Sequence, residues 1–153
     1  DCDIAGKCHG THVSVSEKFF VNRALYKVSS PKRGDVIVFK TSASDSAALH
    51  IRRVIGLPGE TVQVKDGKIY INGKVYEENG AYQDMTDGGL ANSAITLESG
   101  EYFVLGDNRN NSEDSRFSDI GNINKKYIVG KIWFTVSPKN KNRIYKIEQS
   151  TDK

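Results

Sequence analysis

The side chains that could do covalent chemistry are few. Cys2 and Cys8 are the only cysteines, and His9, His12 and His50 the only histidines. A thiolate is a nucleophile, and a nearby cation lowers the thiol pKa and so enriches it. Imidazole can carry protons near neutral pH, although a lone His is more often a surface or hydrogen-bonded residue. Two thiols are too few, and too widely spaced, for a zinc framework. They form either a Cys2–Cys8 disulfide in an oxidising compartment or two free thiols. His50 and Arg52 stand two apart in a β-type run, which puts them on one face of a strand. A dense polar segment, Gly106-Asp107-Asn108-Arg109-Asn110-Asn111-Ser112-Glu113-Asp114-Ser115-Arg116, holds a second group of candidates.

The elements that must position these residues are strands. Apolar residues recur with period two rather than 3.6, which predicts a mainly β fold without a long amphipathic helix. Strands are expected at Phe19 to Val21, Val36 to Phe39, Ile51 to Ile55, Val62 to Lys65, Lys68 to Ile71, Val75 to Tyr76, Tyr102 to Leu105, Tyr127 to Phe134 and Arg143 to Ile147. Asp66-Gly67 and Asn72-Gly73 are two-residue hairpin signals and predict a tight antiparallel meander. From 77 to 99 the pattern dissolves into polar, turn-rich sequence, read as a surface insertion. Of Trp133 and Phe134, which alternate faces, one is expected in the core.

Composition bounds the rest. The chain has 153 residues, 37% hydrophobic and 27% charged, which suits one soluble domain spanning 1–153. Lys and Arg total 22 against 19 Asp and Glu, an excess too small and scattered to argue for nucleic acid. No apolar run is long enough for a transmembrane helix. The first residue is Asp1, so a processed or trimmed N-terminus is expected.

Three segments are more specific than composition. Pro31-Lys32-Arg33-Gly34-Asp35-Val36-Ile37-Val38-Phe39 comes first. Arg52-Arg53-Val54-Ile55-Gly56-Leu57-Pro58-Gly59-Glu60, with its two hairpins, comes second, and the Leu105 to Arg116 segment third. In this order they resemble the boxes of the type I signal peptidases, from about Ile4 to Phe134. The resemblance implies an antiparallel β-sheet domain acting at the extracytoplasmic face of a membrane, held there by an anchor N-terminal to Asp1. It also implies a Ser/Lys dyad, in which a Lys made neutral by burial takes the proton of the attacking Ser.

Both dyad positions differ here. Counting back without gaps from Phe20-Val21-Asn22-Arg23, the family's Ser falls on Cys8, and His9 and Thr11 stand where its Met and Pro belong. The family's Lys falls on Arg52. Gly6 matches the small residue beside the oxyanion hole, a feature of the Gram-positive branch. By the same resemblance, Ser112 is the hydroxyl that would bond the catalytic Lys, and Asp114 and Arg116 form an ion pair beside the site. An Arg cannot serve as general base, because its pKa exceeds about 12 in any protein environment.

The expected function is therefore that of a catalytically inactive signal-peptidase-like protein. It would bind or position an exported polypeptide, a pilin or preprotein, with a sortase as a further partner by analogy with dyad-less relatives in Gram-positive pilus assembly. Neither metal nor cofactor is expected. The alternative is an active endopeptidase. It would use Cys8, with His9, His12 or His50 as proton donor, or a dyad misplaced by the gap-free count, with Ser14, Ser16, Lys7 and Lys18 nearby.

Overall fold

The computed structural model describes residues 18–41, 48–137 and 143–146. Eleven strands are present among them. They are β1 (Lys18–Asn22), β2 (Val36–Lys40), β3 (Leu49–Gly56), β4 (Thr61–Lys65), β5 (Lys68–Ile71), β6 (Lys74–Val75), β7 (Ile95–Thr96), β8 (Glu101–Leu105), β9 (Ile123–Asn124), β10 (Ile128–Ser137) and β11 (Arg143–Lys146). One four-residue helix, α1 (Leu25–Val28), and two short 3-10 turns, at Gly89–Asn92 and Lys125–Tyr127, complete the elements. The fold is mainly β and antiparallel, as the period-two pattern predicts.

Seven strands form the larger sheet, in the order β1-β10-β2-β3-β8-β9, with β11 also paired to β10. A smaller sheet runs β6-β5-β4-β7. Its hairpins close where the dipeptides require it. Asp66 and Gly67 have φ of 52° and 75°, and Asn72 and Gly73 have 51° and 77°. Two successive positive φ values are what a type I′ turn needs, and its twist matches that of the flanking strands.

The large sheet buries both faces. Ile37, Phe39, Val54, Tyr102 and Val104 on one face pack with Tyr26 of α1 and with Ile120 and Ile123. Val36, Val38 and Ile132 occupy the other face. Ile55, Phe103 and Leu105 meet Val62, Val64 and Ile69 of the smaller sheet, with Met85, Ala91 and Leu97 from residues 77–99 filling the gap. Burial of these β-branched and aromatic side chains contributes about 1.5–3 kcal/mol each relative to exposure.

The differences from the sequence reading are local. β7 and β9 are two residues long, too short to show alternation, and α1 is a single turn. Asn22 Oδ1 accepts from the backbone N–H of Ala24 and Leu25, at 3.0 and 3.1 Å, and starts that turn. Trp133 is 52% exposed, and the Phe134 side chain lies outside the described residues.

Candidate functional site

The register decides which side chains share a face. Ile37 of β2 lies opposite Arg52 of β3, and Phe39 opposite His50. His50, Arg52 and Val54 therefore line the face that carries Ile37 and Phe39. Arg52 is only 6% exposed. Its Nε donates to the Glu113 carbonyl and its Nη1 to the Ile51 carbonyl, both at 2.7 Å. Burial pushes the guanidinium pKa down, and the charges of Asp114 and Glu113 pull it back up. A guanidinium stays protonated through this balance. The His50 ring stacks on Phe39 with centroids 5.6 Å apart. Burial, and then the Arg52 charge, lower its pKa, with Glu113 opposing. His50 is thus neutral at pH 7.

The Gly106 to Arg116 loop is locked from within. Asp114 is fully buried, and its Oδ1 and Oδ2 accept from Arg116 Nε and Nη2 at 2.8 and 2.9 Å. Asp114 also accepts from the backbone N–H of Gly106 and Arg116. Arg116 reaches on to the carbonyls of Arg109 and Asp87, at 2.5 and 2.9 Å. The pair ties the end of β8 to residues 77–99.

Ser112 sits where this loop meets Arg52. Its Oγ is buried and has no hydrogen-bond partner among the described residues. A Cβ added to Gly106 would collide with the Ser112 side chain and stand 3.6 Å from Arg52 Cδ. Gly106 is therefore required by close approach as well as by strand termination. The charge of Arg52 is carried past Ser112 to the Glu113 carbonyl, and the hydroxyl is left unsatisfied.

Lys131 of β10 lies opposite Ile37 from the other side. It shares a row and a face with Arg52, two strand spacings or about 10 Å away. This amine is held in an ion pair. Its Nζ donates to Asp35 Oδ1 at 2.7 Å, and Tyr26 donates to Asp35 Oδ2 at 2.7 Å. The Tyr26 hydroxyl is driven far up in pKa by burial, and then by its bond to Asp35. Sequence reading gave Lys131 no role, because only the β10–β2 register brings it into the row.

Two further contacts were also missed. Arg109, 2% exposed, forms a bidentate pair with Glu78 and stacks over Tyr82 with its guanidinium carbon 4.2 Å from the ring centroid. Arg53 pairs with Asp107 through two bonds of 2.8 Å. Arg109 belongs to a motif already singled out, so its box was the available signal. Gly6, Cys8, Cys2, His9 and His12 lie outside the described residues. Among the described residues, no group of three His, Cys, Asp or Glu could hold a metal ion. Nor is any helix there long and apolar enough to cross a membrane.

On this sheet face a buried cation is met by a Ser-bearing loop that an Asp–Arg pair holds in place. Residues 2–137 match the family described as signal peptidase, peptidase S26, and the chain belongs to that family. It is 36% identical over 122 residues to signal peptidase I P of Bacillus subtilis subsp. natto, covering 75% of this chain and 64% of that relative. It is 37% identical over 134 residues to signal peptidase I T of Bacillus subtilis strain 168, covering 83% of this chain and 68% of that protein. The crystal structure of a signal peptidase I from Enterococcus faecalis V583 superposes with a TM-score of 0.54 at 32% identity, covering 68% of this chain and 97% of that one.

Proposed function

We propose that this chain is a signal-peptidase-family protein that does not cleave, and that it binds or positions exported polypeptides at the outer face of the membrane. One observation carries the reading. The position that the resemblance gives to the family's general base holds Arg52, whose guanidinium donates to the Glu113 and Ile51 carbonyls, beside a Ser112 hydroxyl with no partner among the described residues. Arg52 offers a nucleophile there no proton acceptor. Lys131, the amine on that row, is held in an ion pair.

The binding role rests on what remains. The sheet and the locked loop are intact, and an extended peptide can add to strand edges through main-chain hydrogen bonds. An exported pilin or preprotein is the proposed substrate class, with a sortase as a further partner.

The test incubates the protein with a signal-peptide substrate carrying small residues before the scissile bond. Saturable binding without product is expected. Turnover abolished by Cys8→Ala would overturn the reading in favour of a thiol peptidase, for which the neutral His50 is a candidate proton carrier.

A further inference from the structure

The sequence scatters its cations, but the fold gathers a group of them. Residues 18–34 and 120–131 contain no Asp or Glu, whereas residues 77–119 hold ten of them against two Arg. The two carboxylate-free segments meet at one corner of the large sheet. Asn22 pairs with Lys131 across β1 and β10, and α1 follows directly. Asp35, buried, draws the corner together by accepting from Tyr26 of α1, the backbone N–H of Lys32, and Lys131 of β10. Lys125, in the 3-10 turn that leads into β10, donates to Ser30 Oγ at 3.0 Å. These contacts bring Arg23, Lys27 and Lys32 into the neighbourhood of Lys125 and Lys126. All but the half-buried Lys125 are exposed. Val28, 89% exposed, stands among them.

Of the carboxylates at the corner, Asp35 is neutralised by Lys131, whereas Glu101 keeps its charge on neutral donors. Asp35 serves Lys131, and Glu101, opposite Asn124, accepts from the Asn122 side chain and the backbone N–H of Glu98. Clustered outward cations of one sign steer and hold a complementary anion. We infer that this corner, formed by Arg23, Lys27, Lys32, Lys125 and Lys126 around Val28, is a docking surface for an acidic polypeptide segment. A bilayer fits it less well. Val28 is its single exposed large apolar side chain, while Phe20 and Trp133, which a membrane interface would take up, lie on the β1–β10 ribbon beyond it. The surface does not depend on whether the cleft cleaves.

The experiment measures binding of a fluorescent oligo-glutamate peptide to the full chain by anisotropy, over a salt series. The variants are Lys27→Glu/Lys126→Glu and, as a matched control, Lys65→Glu/Lys68→Glu on the β4–β5 hairpin. Thermal melts confirm that each variant folds. The corner reversal should weaken binding by about tenfold or more, and the hairpin reversal should leave it within about twofold. Equal losses in both variants would show diffuse charge attraction and overturn the inference. So would peptide binding that the corner reversal leaves intact, or no peptide binding by the parent chain. Corner-dependent binding of phosphatidylglycerol vesicles but not of peptide would assign the surface to lipid and overturn it equally. Corner-dependent self-association in sedimentation, with no affinity for the peptide, would do so in favour of a second copy.

Discussion

Removing the Ser112 hydroxyl is expected to stabilise this protein, against the usual direction for trimming a buried side chain. Ser112 Oγ is buried without a partner among the described residues. Leaving such a group unsatisfied costs about 1–3 kcal/mol of desolvation. Ser112→Ala removes that cost and keeps the Cβ that packs against Gly106, so the gain should be about 1–2 kcal/mol. For a domain of this length, that corresponds to a rise of about 2–8 °C in Tm. The sign should reverse in an Arg52→Lys background. A lysine ammonium ends closer to its own strand and gives the hydroxyl a partner, so Ser112→Ala would then lose about 1 kcal/mol or more. The full cycle, read by urea unfolding, should show a coupling energy within the usual range of about 0.5–3 kcal/mol for residues in contact. If Ser112→Ala destabilises the Arg52 protein by about 1 kcal/mol or more, the hydroxyl has a partner and the account of this site is wrong.

Three other outcomes are expected. Asp114→Asn strands the buried Arg116 guanidinium without its counter-charge, at a cost of about 3–5 kcal/mol, which urea unfolding will measure. His50 has a lower pKa folded than unfolded, so the unfolded chain binds more protons. Its contribution is therefore complete above about pH 6.5 and is lost as pH falls toward the folded value. His50→Gln should flatten the Tm profile below about pH 6.5 relative to the parent, and parallel profiles would contradict the shift. Finally, Cys8→Ser with Arg52→Lys should restore at most weak cleavage of a signal-peptide substrate. His9 and Thr11 also depart from the family's pattern, and near-attack geometry tolerates little displacement. Recovery to rates typical of the Bacillus enzymes would show that the dyad alone had been lost.

Most of the strand framework was legible because its signals are local. The Asp66-Gly67 and Asn72-Gly73 turns lie in the left-handed region that two-residue hairpins require, and the alternation on either side of them needs no distant contact. The short β7 and β9 strands were not legible. β7 exists by pairing Ile95 and Thr96 with Val62 and Thr61, and β9 by pairing Ile123 and Asn124 with Tyr102 and Glu101. Two residues are too few for a period to show. The bonds that Arg109 and Arg116 make to residues 77–99 were hidden for a similar reason, since their partners lie distant in sequence and include main-chain carbonyls.

By itself, then, the sequence determined the β class, the hairpins and the permanent charge of Arg52. Turn propensity and guanidinium basicity belong to the residues wherever they sit. Only the tertiary structure decided that Ser112 is left without a partner, that Lys131 shares a row with Arg52 while bound to Asp35, and that separated cations converge on one corner. Each of these depends on strand register and loop closure, which bring together groups that composition and local pattern leave far apart.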